Sequence, residues 1–110
     1  MLVRRIGTLG PGHGQFNGPE GICLLSSGHL AVIDSSNHRV VILRPEDGEF
    51  LQVIGGQGLF NALSGSGTGV GDFNCPAGIC VLNDGSLAVC DLGNNRIVLL
   101  RPVFNGEESK

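Results

Sequence analysis

Residues 14–43 read GQFNGPEGICLLSSGHLAVIDSSNHRVVIL, and residues 71–100 read GDFNCPAGICVLNDGSLAVCDLGNNRIVLL. The second stretch is the first moved along the chain by 57 positions. Extending the comparison to Gly12–Pro45 over Gly69–Pro102 needs no gap, and 20 of the 34 positions are identical. Other positions exchange one apolar residue for another, as Val40 does with Ile97. Repetition at a fixed period marks structural units that bury their apolar faces against each other. The reading of one unit therefore decides the fold of both.

Within each unit the apolar runs are short and broken by turns. GICLL and GICVL precede SSGH and NDGS, then LAVID and LAVCD follow, and after a polar turn come RVVILR and RIVLLR. The first unit continues through the corner RPEDGE into FLQVIG, a fourth run. No window carries a helical apolar stripe free of Gly and Pro, so strands are expected throughout. Asp84-Gly85 is a two-residue hairpin signal of the type I′ kind, with Ser27-Gly28 in the matching place. Those loops would set Leu25 opposite Leu30, Cys23 opposite Val32, Leu82 opposite Leu87 and Cys80 opposite Val89. Cys90 would then face Ile79, and Cys80 and Cys90 would project to opposite faces. Four short antiparallel strands per repeat form the unit of a β-propeller blade.

Composition agrees with an all-β domain rich in tight turns. Of 110 residues, 19 are Gly with no Gly-X-Y period, 41% are hydrophobic and 15% charged. Formal net charge is −3, which advertises no polyanion partner. No apolar stretch approaches the ~20 residues that span a bilayer, so no membrane partner is expected. The opening MLVRRIGTLG lacks the apolar core of a secretion signal. Cysteines 23, 80 and 90 lie in apolar runs, where a free thiol behaves as a small hydrophobe, and a reducing, cytoplasmic setting is favoured.

Both units resemble the NHL repeat. The features that carry the resemblance are Phe16/Phe73, Pro19/Pro76, Gly21/Gly78, Gly28/Gly85, Asp34/Asp91, Asn37/Asn94 and Arg39/Arg96. Arg39 and Arg96 stand where the family's third letter would be. The resemblance implies two four-stranded antiparallel blades, repeat 1 at about 12–54 and repeat 2 at about 69–110. Residues 1–7, with Ile6-Gly7 matching Ile54-Gly55, would form the fourth strand of a neighbouring blade. Residues 55–68 would be an inserted Gly/Ser-rich loop. Propellers of this family usually close with six blades. Two blades are therefore expected to be part of such a ring, completed by further blades in the same chain or by a homo-oligomer, most simply a trimer.

Asp34, Asn37 and Arg39, repeated as Asp91, Asn94 and Arg96, look at first like a reactive cluster. Recurrence favours a structural role, since fold devices recur in each blade while a catalytic site usually occurs once. Asp to Arg would pin the loop between second and third strands by a charge-assisted hydrogen bond. Asn37 and Asn94 would cap the same turn. His13, His29 and His38 have no counterparts in repeat 2, all lie in expected turns, and form no metal set. No catalytic residue, metal or cofactor is expected.

The residues that differ between copies mark a candidate binding face: His13, Gln15, Ser36, His38 and Asn95, with Leu59 and Phe60 from the inserted loop. The leading expectation is a non-enzymatic interaction module presenting these loops to a protein partner. The resemblance implies a recognition part of a larger protein such as a ubiquitin ligase. Single-stranded RNA binding by the same face is the alternative. A fragment of a propeller enzyme, related to amidating lyases or lactonases, is the second alternative.

Overall fold

The computed structural model of the chain describes residues 1–55 and 73–102. Leu59, Phe60, most of the expected inserted loop and everything after Pro102 lie outside the described residues.

Thr8–Leu9 (β1) pairs in parallel with Gln15–Phe16 (β2). A four-stranded antiparallel sheet follows in the order Pro19–Leu24 (β3), Leu30–Asp34 (β4), Arg39–Leu43 (β5) and Phe50–Gly55 (β6). The second repeat forms a three-stranded antiparallel sheet of Gly78–Val81 (β7), Leu87–Asp91 (β8) and Arg96–Leu100 (β9). A fourth strand for this sheet would fall beyond Pro102, outside the described residues. Residues 1–7 are assigned to no strand. The blade they were expected to complete is not one of these two sheets.

The hairpins correct the expected register. Leu24 pairs with Leu30 and Cys23 with Ala31; Val81 pairs with Leu87, Cys80 with Ala88 and Gly78 with Cys90. The loops are one residue longer than expected. Gly28 N–H donates to the Leu25 carbonyl at 2.9 Å, Leu25 N–H donates to His29, and Gly28 adopts φ 91°. Leu82, Gly85 and Ser86 repeat the arrangement, with Gly85 at φ 89°. This is a turn followed by a left-handed glycine bulge, so only the Gly takes positive φ and Asp84 does not. A one-residue shift of pairing exchanges the faces of one strand relative to the next. Cys80 and Cys90 therefore share a face, and the expectation of opposite faces fails.

Alternation along the strands gives each sheet two apolar faces. The forward face of the first sheet offers Ala31, Ile33, Val40 and Ile42, all at 0% exposure, with Cys23 and Ile54 beside them. It packs against the rear face of the second sheet, Ile79, Val81, Leu87, Val89, Val98 and Leu100, with Phe73 filling the gap. Burying each such side chain contributes about 1.5–3 kcal/mol, so this seam between sheets is the main core. A second cluster forms on the rear of the first sheet, where Val32, Val41, Leu43 and Phe50 are covered by Ile6 and Phe16. The forward face of the second sheet stays open. Cys80, which lies in an apolar run like its half-buried mate Cys23, is exposed there, because nothing among the described residues packs over it.

Candidate functional site

After β4 the chain makes a single 3-10 turn, Ser35–Asn37, and enters β5 through His38 in a left-handed conformation, φ 55°. After β8 it does the same at Leu92–Asn94, with Asn95 also at φ 55°. Asn visits this region more readily than most residues, and His is similarly enriched there. Sequence reasoning assigned the turn-tolerant position to Asn37 and Asn94; it falls one residue later.

Asn37 has a different task. Neither turn has a side-chain cap. Asn37 Nδ2 instead donates to Asp34 Oδ2 at 2.9 Å and to the Gly10 carbonyl at 3.0 Å. Asp34 Oδ2 also accepts from Arg39 Nε at 2.7 Å, and Asp34 Oδ1 from the Asn17 backbone N–H at 2.7 Å. Arg39 then reaches on to the carbonyls of Pro11, Gly12 and Gln15, at 2.9, 3.2 and 2.7 Å. A buried carboxylate thus fixes a buried guanidinium, which ties down the loop ahead of β3. The Arg39 guanidinium carbon also stands 5.7 Å over the Phe50 ring. The loop contacts of Arg39 have no simple sequence signal, because backbone carbonyls carry no residue identity.

The second repeat builds the same clamp. Asp91 Oδ1 accepts from the Asn74 N–H at 2.7 Å, and Oδ2 accepts from Asn94 Nδ2 at 2.9 Å and Arg96 Nε at 2.8 Å. Burial raises the Asp91 carboxyl, but the Asn74 N–H, the Asn94 amide and Arg96 outweigh it and hold it below its ordinary value. Among the described residues, every buried side-chain nitrogen and oxygen has a hydrogen-bond partner. None of them forms a cluster of three or more His, Cys, Asp or Glu able to hold a metal ion.

The candidate face is partly drawn together. Ser36 N–H donates to the Asn17 carbonyl at 3.0 Å, and Gly93 N–H to the Asn74 carbonyl at 2.8 Å, so turn and loop close up in both blades. His38 Nδ1 accepts from the Cys75 backbone N–H at 3.0 Å, which joins the first blade to the second. His38, expected in a turn, is half-buried at this junction. Ser36 and Asn95 are exposed on the same edge, as is Leu92. Gln15 folds inward, its Oε1 accepting from the Gly12 N–H at 2.9 Å. His13 stacks beside Phe50 at 4.9 Å and approaches Glu49 at 3.3 Å. Those two residues serve the loop that Arg39 clamps.

The opposite edge carries ion pairs. Arg44 bonds Asp47 at 3.0 Å, and Arg101 bonds Asp84 at 3.1 Å. With Arg39 and Arg96 in the clamps, four arginines are matched by carboxylates.

A sequence model of the NHL repeat matches residues 16–43 and 73–98. The RING finger protein nhl-1 of Caenorhabditis elegans is 48% identical over 52 residues. That match covers 47% of this chain and 5% of the nematode protein, so the chain spans a small fraction of that relative's length. The matched segments hold the first three strands of each sheet and the Asp, Asn and Arg of each clamp: the chain carries two NHL repeats.

Proposed function

We propose that the two blades act as a non-enzymatic interaction module that presents its turn edge to a protein partner. One observation carries this reading: the Asp and Arg side chains that look reactive in the repeat are spent on internal pairs. Asp34 and Asp91 have both oxygens occupied by internal donors, and Arg39, Arg44, Arg96 and Arg101 face carboxylates. The outward positions of the turn edge, Asn17, Ser36, Leu92 and Asn95, are uncharged, with one large apolar side chain among them. Such a mixture suits a protein surface better than a phosphate backbone, which asks for Lys and Arg. Within a larger protein, such as a ubiquitin ligase, the blades would form part of the recognising end. The RING name of the relative supports that placement.

The test uses the purified chain as bait beside a Ser36→Lys, Leu92→Lys variant. A protein retained by the former and lost with the latter is purified and titrated against both by calorimetry. Equal retention by the two overturns the reading for this edge. Filter binding with random single-stranded RNA at two salt concentrations runs in parallel. Retention at low salt that collapses at high salt moves the assignment to RNA.

A further inference from the structure

The repeat makes each buried position in one blade a control for its mate in the other, and two surfaces stand out. On the forward face of the second sheet, Ile97 and Leu99 are 63% and 64% exposed, while their mates Val40 and Ile42 are at 0% in the seam. On the rear face of the first sheet, Ile22 and Leu24 are 61% and 66% exposed, while their mates Ile79 and Val81 are packed in the seam. Phe16 and Pro19 show the same contrast. They are half-buried and exposed, whereas Phe73 and Pro76 are fully buried. An open apolar groove lined by Ile6, Phe16 and Pro19 runs along this rear side.

These two open surfaces are the two halves of the seam already present inside the chain. The second sheet's open face corresponds, residue for residue, to the face the first sheet uses in the seam. The first sheet's open face corresponds to the one the second sheet uses. Whatever fits one therefore carries the chemistry of the other.

The N-terminal segment marks how far the docking slot is already filled. In the seam, Ile54 of β6 packs against the shared core and is followed by Gly55 at φ 79°. On the open side, Ile6 leans on the rear cluster of the first sheet and is followed by Gly7 at φ 99°. Arg4 Nη1 donates to the Pro45 carbonyl at 3.1 Å and holds the segment there. Ile6 thus stands on the rear cluster of the first sheet as Ile54 stands in the seam, while Ile22 and Leu24 beside it remain exposed.

We propose that a second copy of this chain docks head to tail here. The forward face of one copy's second sheet, Cys80, Cys90, Ile97 and Leu99, covers the Ile22 and Leu24 face of the next. The turn edge supplies a matching polar contact. Asn95 is the mate of His38, and Gly18, at φ 70°, is the mate of Cys75, at φ 49°. The His38 to Cys75 bond of the seam becomes an Asn95 Oδ1 acceptor for the Gly18 N–H of the neighbouring copy. Because the two surfaces differ, the contact is heterologous and can extend beyond two chains, closing into a ring if the rotation allows.

The experiment measures mass in solution by sedimentation and light scattering at micromolar concentration. The unaltered chain is expected at a multiple of its own mass that falls on dilution. Leu99→Lys disables only the forward face, and Leu24→Lys only the rear face, so each alone is expected as a monomer. Mixed together, they retain one intact face of each kind and are expected to form a one-to-one heterodimer that grows no further. That heterodimer also proves both variants folded. Ile97→Gln and Ile22→Gln give a milder second pair should the lysines disturb folding. A monomeric wild-type chain overturns the proposal. Variants that associate as the wild type does, or a mixture of either pair that stays monomeric, do so equally.

Discussion

Asp34 Oδ2 lies 2.7 Å from Arg39 Nε, and 57 residues later Asp91 Oδ2 lies 2.8 Å from Arg96 Nε. The pairs share geometry but not surroundings: the Arg39 side chain is 4% exposed and the Arg96 side chain 29%. Removing one partner of a buried pair strands the other charge, which costs about 3–5 kcal/mol. Asp34→Ala is therefore expected to lower the unfolding free energy by roughly that amount. Asp91→Ala leaves a guanidinium that water reaches, and is expected to cost about 1–3 kcal/mol. Urea titration of both variants checks the order, and a larger loss at Asp91 would contradict it.

The same pair gives a pH dependence with a definite sign. Burial pushes the Asp91 carboxyl up, yet its hydrogen bonds to Asn74, Asn94 and Arg96 hold it below its ordinary value. A depressed folded value means that the linked stability is complete above the unfolded value, about 3.9. It is lost as pH falls through the lower folded value. Urea midpoints of the wild type are expected to fall in this acid range more steeply than those of Asp91→Asn, which cannot titrate. Parallel curves for the two proteins would refute the linkage.

At the blade junction, His38 Nδ1 accepts from the Cys75 N–H. His38→Ala removes the acceptor and keeps the left-handed backbone, so a loss of about 1 kcal/mol is expected. His38→Asn recreates what the second repeat has at Asn95 and offers an amide oxygen in the same place. It is expected to stay within about 0.5 kcal/mol of wild type, the usual range for benign surface changes. Thermal melts of the two variants separate a hydrogen-bond role from bulk packing, which Asn would not replace.

Much of this was legible from residue identity alone. Strand order, the 57-residue period and the Asp–Arg pair follow from side-chain patterns that repeat. The hairpin register did not, because Asp84-Gly85 is compatible with two loop lengths that differ by one residue. The choice depends on whether Asp84 or only Gly85 takes positive φ, and only Gly85 does. His38 was legible as different from Asn95, but not as a bridge. Its partner is a backbone N–H, and that N–H belongs to a residue 37 positions away. The openness of Cys80 depends on what lies beyond the second sheet, which strand periodicity does not encode.

Cys75 and Gly18 hold equivalent left-handed positions, φ 49° and 70°. A residue with a Cβ loses roughly 1–2 kcal/mol in that conformation, and glycine does not. Glycine in turn gives back about 0.5–1 kcal/mol through the greater freedom of its unfolded chain. The strain exceeds the entropy, so Cys75→Gly is expected to stabilise the chain by up to about 1 kcal/mol. The Cys75 backbone N–H that donates to His38 is retained. The converse change, Gly85→Ala, places a Cβ where no atom lies within 4 Å, so its cost is backbone strain alone. That variant is expected to lose up to about 1 kcal/mol by the same reasoning. Urea midpoints that move together for the two variants, both up or both down, would show that something other than positive φ governs these positions.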